Sequence, residues 1–305
     1  MSRFDADAEG GGPVDDSGHH LVDDGGSLPA EDGERESVSG TKRGQAEASA
    51  RYEVPSVVLA VRILKLLSRY KHRSCSLKEI AELTRASKTT CLRVLRSLEQ
   101  EDILKYDAER RKYSLGPYLI PLGNRALALN DFLANATVEL KAAARETGLT
   151  TVLVKRLRDD RLIYIASEEP EQDNLRIAVS VGQSFPIVGA GFGHCFIAYD
   201  DERTWPHYAR QLTPFSQNSI VDPALFFASL EQIRRDGYAV SHGALTEGVS
   251  AVAAPIFAAS GEVELVMSSL AMTAVLTPDM QNRALRVLLE HTHRLSEWNG
   301  WQPGH

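Results

Sequence analysis

The chain lacks the features that mark several common protein classes. It holds only three cysteines in 305 residues, Cys75, Cys91 and Cys195. An odd number at such wide spacing excludes a disulfide framework, offers no cysteine pair for a metal, and fits a reducing compartment. Long hydrophobic runs are missing too. None reaches the ~18 residues that a membrane-spanning helix requires. The first residues show no basic-then-apolar pattern, so export is not expected and a cytoplasmic location is. An overall positive charge is also absent. The net charge of −7, taken alone, speaks against a nucleic-acid partner.

What is present overturns that last impression. Residues 1–50 carry 4 Lys/Arg against 12 Asp/Glu, residues 51–130 carry 16 against 8, and residues 131–305 carry 14 against 21. A basic segment set in an acidic chain is the electrostatic footprint of a nucleic-acid-binding module. Hydrophobic content of 43% and charged content of 25% are ordinary for a globular protein, and the length suits two domains. Residues 1–53 are rich in Gly, Asp, Glu and Ser with few large apolar residues, which predicts a disordered acidic tail. His19-His20 within it is read as a solvated pair.

The basic segment is organised around Ser76–Leu98, SLKEIAELTRASKTTCLRVLRSL. Ser76 and Glu79 have the spacing of a capping box. Leu77, Ile80, Ala81 and Leu83 then supply the inward face of a first helix. Thr84-Arg85-Ala86 makes the turn. Ser87 caps a second helix whose inward stripe is Cys91, Val94, Leu95 and Leu98. Lys88, Thr89, Leu92, Arg93 and Arg96 are left on its outer side, the arrangement of a helix-turn-helix whose second helix enters the major groove. A preceding helix over 57–70, capped by Ser56, is expected to pack through Val57, Val58, Val61, Leu64 and Leu67. Strand, polar turn and strand over 103–115 add a wing. Base reading falls to Lys88, Thr89 and Arg93, with Leu92 against a thymine methyl. Arg96 and the wing residues Arg110, Arg111 and Lys112 are assigned to phosphates.

Tyr118–Leu133 reads as a connecting helix with Leu119, Leu122, Ala126 and Leu129 on one face, continuing to Thr147 and stopped by Gly148. Beyond Thr150 the period changes. Strands are predicted at 151–154, 162–166, 176–181, 238–240, 249–257 and 263–270, with helices near 189–199, 224–236 and 280–298. Together the expected organisation is α+β: a winged helix-turn-helix at 54–116, a linking helix at 117–134, and a mixed sensing and oligomerisation domain at 135–300. The loop Val188–Gly193 brings backbone N–H groups close to a following helix start, a place for an effector's carboxylate.

Four stretches carry a family resemblance: SLKEIAELTRASKTTCLRVLRSLEQEDIL, KYSLGPYLIPLG, GQSFPIVGAGFGHCFIA and GYAVSHGALTEGVSAVAAPIFAASGEV. Over residues 55–298 the chain resembles the IclR family of bacterial transcription regulators. The resemblance implies a GAF-like effector domain, a homodimer or tetramer, a palindromic double-stranded DNA operator, and an effector that is a small organic or aromatic acid. It implies no cofactor, metal or membrane partner. Phe185, Gly191, Phe192, Ser241, Val249, Ala251, Ser268 and Leu270 stand where the family lines its pocket. Arg93 matches its recognition-helix arginine and Thr90 a commonly hydroxylic position. The chain departs from the pattern at His194, where Lys is frequent, at Leu92, where a polar residue is, at Phe192, where a small one is, and at Ser241, where an acid is. These departures shift the pocket toward a more apolar ligand.

Two other functions were weighed on the residues. An enzyme would need more than Gly189-x-Gly191-x-Gly193, which lacks the dinucleotide-binding spacing, or the adjacent pair His194-Cys195, which diverges on a helix. A metal sensor would need His194, His242 and Glu247 to converge.

Overall fold

The computed structural model describes residues 53–170 and 176–302. The expectations for the acidic tail and for His19-His20 fall outside the described residues.

The first unit is three helices and a hairpin. Helix α1 spans Pro55–Leu67, followed by a single tight turn at Tyr70–His72. It begins on Val54 with no side-chain cap, so Ser56 is not its cap. Proline at the first helical position supplies a fixed φ and lacks the N–H that would need one. The buried residues of α1 are Leu59, Ile63, Leu66 and Leu67, whereas Val57 and Val61 are 57% and 44% exposed. Of the expected packing face, Leu67 is buried and Leu64 packs against the core, while Val57 and Val61 turn outward. Both stripes of α1 are apolar, and periodicity alone could not rank them.

Helix α2, Leu77–Thr84, starts with the full capping box: Glu79 N–H donates to Ser76 Oγ at 3.3 Å and Ser76 N–H to Glu79 Oε2 at 2.7 Å. Ile80 and Ala81 are buried, but Leu83 is 51% exposed and leaves the predicted face. Arg85 takes a left-handed φ of 53° and ends the helix. Helix α3, Lys88–Gln100, buries Cys91, Val94 and Leu95. Strands β1 (Leu104–Asp107) and β2 (Lys112–Leu115) form the wing. Its turn is held by Asp107 Oδ1, which accepts from the N–H groups of Glu109 and Arg110. Tyr113 also exchanges two backbone hydrogen bonds with Cys75, which ties the wing to the chain entering α2. At the wing base a Cβ on Gly116 would sit 2.1 Å from the Asp102 carbonyl oxygen, so only glycine fits.

The connection is two helices, not one. Helix α4 spans Leu119–Ala128 and α5 spans Asp131–Thr147. Asn130 breaks them apart, because its side chain accepts from Leu133 N–H and starts a fresh helix. The apolar face of α4 is open: Leu122 and Leu129 are exposed, as are Ile120 and Leu127. Gly148, at φ 68°, ends α5 as expected.

The second unit is an antiparallel sheet between two helical layers. Its strands are β3 (Thr150–Arg156), β4 (Arg161–Glu168), β5 (Ser184–Pro186), β6 (Ala239–His242), β7 (Val249–Phe257) and β8 (Val263–Met272), in the order β5-β4-β3-β8-β7-β6. Helix α6 is Gly191–Ala198, α7 is Trp205–Ala209, α8 is Pro223–Asp236 and α9 is Pro278–Trp298. Strand alternation divides two cores. Val152, Val154, Ala251, Ala253, Val266 and Leu270 face α6 and α8. Leu153, Val252, Ala254, Ile256, Leu265 and Met267 face α5 and α9. Each fully buried aliphatic or aromatic side chain here contributes about 1.5–3 kcal/mol. The strand predicted at 176–181 does not form. Among the described residues it makes no strand pairing. Ile177 N–H donates instead to the Thr150 hydroxyl at 3.0 Å, and Ile177 and Val179 pack on the core beneath α6.

Candidate DNA interface and effector cavity

The recognition surface follows from how α3 is fixed. Cys91 and Leu95 are completely buried, so the opposite side of the helix must face solvent. Lys88, Thr89, Thr90, Arg93 and Arg96 are exposed there, with Leu92 half-buried. Among the described residues, Lys88, Arg93 and Arg96 have no ion-pair partner. Their charge is therefore free for a polyanion. Thr90 is spent differently from expectation. Its hydroxyl lies 2.8 Å from Ser87 Oγ, and its N–H donates to the same oxygen at 3.1 Å. It serves the helix cap while remaining exposed on the outer side. On the wing, Arg110 and Arg111 are exposed and Lys112 is half-buried. Arg110 lies 3.9 Å from Asp107 in an exposed pair that contributes little in water.

The second unit holds a cavity of about 180 Å³, open on one side, between the sheet and α6. Of the eight predicted effector residues, Phe185, Phe192, Ser241, Val249, Ala251 and Leu270 line it. Gly191 lines the neighbouring groove of about 680 Å³ along β6 and α8, where a Cβ would lie 3.4 Å from Ser241 Oγ. Ser268 lines neither. It is fully buried, and its hydroxyl donates to the Val252 carbonyl at 3.0 Å, so it holds two strands in register instead of offering a ligand contact. The glycine loop has a packing reason as well: a Cβ on Gly193 would sit 1.9 Å from the Ile187 carbonyl oxygen. Gly193 and His194 N–H groups both donate to Ala190 O.

Residues that the sequence reading missed also line the cavity. Tyr164 on β4 forms an aromatic cluster with Phe185 and Phe192, at ring-centroid distances of 4.6 and 5.9 Å. Ile177 and Val179 come from the stretch predicted as a strand, and Gln183 from the turn after it. Tyr164 sits in an alternating apolar run and carries no local signal that separates a cavity wall from ordinary core.

Neither rival chemistry finds a constellation. His194 is buried edge-on against Phe226, with Nε2 3.4 Å from the Val188 carbonyl. Burial pulls its pKa down to about 4, so the ring is neutral. The adjacent Cys195 is buried, and burial pushes its thiol far above the range of a nucleophile. His242 Nδ1 lies 3.2 Å from Ser250 Oγ. Among the described residues no three His, Cys, Asp or Glu side chains converge on a metal position.

An unpaired basic helix face beside a wing, joined in one chain to a cavity-bearing α/β unit, defines a DNA-binding transcription regulator with a small-molecule sensing domain. Comparison with known proteins agrees. Residues 56–108 match the IclR helix-turn-helix domain, and residues 124–297 match the bacterial transcriptional regulator IclR C-terminal domain. The chain belongs to the IclR family, as a transcription regulator and not an enzyme. It is similar to the crystal structure of an IclR transcriptional regulator from Alicyclobacillus acidocaldarius, at 56% identity and a TM-score of 0.79, over 82% of this chain and all of that one. The Escherichia coli DNA-binding transcriptional repressor YiaJ is 26% identical, over 81% of this chain and 88% of that protein. An IclR homologue from Microbacterium hydrocarbonoxydans, crystallised with 4-hydroxybenzoate, shares the fold at 17% identity and a TM-score of 0.68, over 80% of this chain and 98% of that one. Among the described residues no helix is long and apolar enough to cross a membrane.

Proposed function

We propose that the protein is a cytoplasmic, dimeric or tetrameric regulator that binds a palindromic operator and releases or grips it in response to a small organic acid with an apolar or aromatic body. The observation that carries the DNA half is the exposed, unpaired row Lys88, Thr89, Arg93 on a helix whose opposite side is locked in the core. One such unit reads a half-site, so a two-fold dimer reads two half-sites about one helical turn apart. The exposed apolar residues Val57 and Val61 on α1 and Ile120, Leu127 and Leu129 on α4 support a second copy as partner.

The effector half rests on the cavity and on the start of α6. Phe185, Phe192, Val249 and Leu270 supply an apolar wall, and the first turn of α6 favours a carboxylate at its edge. The Microbacterium homologue's aromatic ligand fits the same reading. An effector shifts the regulator only by binding DNA-competent and incompetent arrangements with different affinity.

The test is Arg93→Ala. Fluorescence anisotropy against the promoter region flanking the protein's own gene should show operator affinity falling about 5- to 150-fold, the loss of a bidentate base contact. Binding to scrambled duplex and the circular dichroism spectrum should stay as in the wild type. Equal affinity of variant and wild type for the operator removes Arg93 from the reading face.

A further inference from the structure

Tyr164 is only 4% exposed, yet its hydroxyl has no hydrogen-bond partner among the described residues. Buried tyrosine hydroxyls usually find a partner, and one without a protein partner is free to take one from a ligand. The oxygen is not sealed in protein either. Among the described residues the one sealed and unpartnered side-chain N or O atom is His291 Nε2. Tyr164 Oη therefore retains open space, and the space its side chain borders is the cavity. Burial drives its pKa well above the usual phenol range, so it stays protonated and available to donate. The cavity wall around it carries no charged side chain among the described residues. A carboxylate placed beside Tyr164 would be desolvated without a countercharge, at a cost that one neutral hydrogen bond does not return. The volume of about 180 Å³ is near the roughly 150 Å³ of an apolar cavity that accepts a single benzene ring.

We infer that Tyr164 is a specificity-determining residue of the effector cavity, selecting a single-ring compound that bears an uncharged hydroxyl over the same ring without one. The inference rests on the reading of this cavity as the effector site and sharpens it. The apolar wall accepts the ring whether or not it is hydroxylated. A ring that fills the cavity displaces water from the phenol; a ring hydroxyl replaces that hydrogen bond, and an unsubstituted ring does not.

The experiment is calorimetric titration of the full chain with benzoate and the three monohydroxybenzoates, on wild type, Tyr164→Phe and Phe192→Trp. Phe192→Trp fills the cavity and reports whether binding occurs there. At least one hydroxybenzoate should bind wild type about three- to tenfold more tightly than benzoate, the worth of one neutral hydrogen bond. In Tyr164→Phe that ratio should fall to about one. Equal affinities in wild type, or a ratio that survives Tyr164→Phe, overturn the selectivity. If Tyr164→Phe weakens all four compounds by one common factor, the residue is merely structural and the inference also fails. In each of those cases, benzoate binding that Phe192→Trp abolishes leaves the effector reading standing. Absence of binding by all four compounds removes both.

Discussion

Arg111 sits in the wing turn with a φ of 52°, a backbone conformation that costs a non-glycine residue roughly 1–2 kcal/mol. It is exposed, and among the described residues no acid pairs with it. Arg111→Gly relieves the backbone strain but adds the larger unfolded-state entropy of glycine, roughly 0.5–1 kcal/mol. The net effect on stability is therefore roughly 0–1.5 kcal/mol in favour of the variant. DNA binding should move the other way. Arg96, Arg110, Arg111 and Lys112 are four phosphate candidates per protomer, about eight in a two-fold dimer, which gives a slope of log affinity on log salt near about −7. Arg111→Gly removes two of them and should bring the slope to about −5, weakening operator and scrambled duplex alike. Anisotropy titrations between low and moderate salt measure the slope, and urea unfolding measures the stability. An unchanged slope in a folded variant refutes the assignment of the wing to phosphates. A large loss of stability refutes the strain argument.

Two further outcomes are expected. The pKa of His194 is about 4 in the folded chain against 6.5 ordinarily, so the unfolded chain takes up a proton between those values and the folded chain does not. The contribution of this residue to stability is complete above about pH 6.5 and is lost as the pH falls to about 4, amounting to about 3 kcal/mol. Chemical denaturation at several pH values should show this slope in wild type and a flatter one in His194→Gln; parallel curves would place the ring in a more solvated site. Val57→Glu combined with Ile120→Glu should convert the protein to a monomer by analytical ultracentrifugation and reduce operator binding to that of a half-site. An unchanged sedimentation coefficient would assign the interface elsewhere.

The helix-turn-helix was legible because its signals are local. Ser76, Glu79 and Ser87 act within three residues of themselves, and the inward stripe of α3 repeats along one helix. The wing was legible for the same reason, since the turn at Asp107 is made by its own neighbours. Two misreadings came from competition, one in this unit and one in the connection after it. Helix α1 is apolar on two sides, and only the position of α3 decides which side is buried. The break at Asn130 was hidden because the apolar pattern of α4 runs on into α5 without a gap.

Amino-acid order alone determined the electrostatic division of the chain and the capped helices of the DNA-binding unit. The tertiary structure decided which groups share a cavity. Tyr164, Ile177, Phe185 and Phe192 come from four different segments, and no spacing along the chain brings them together. It also decided what each polar group was already doing: Thr90 and Ser268 looked available for a ligand, but their hydroxyls are held by Ser87 and by the Val252 carbonyl. Hydrogen bonds between neighbours in sequence can be read from the sequence. Those that strand pairing and layer packing create exist only once distant segments meet.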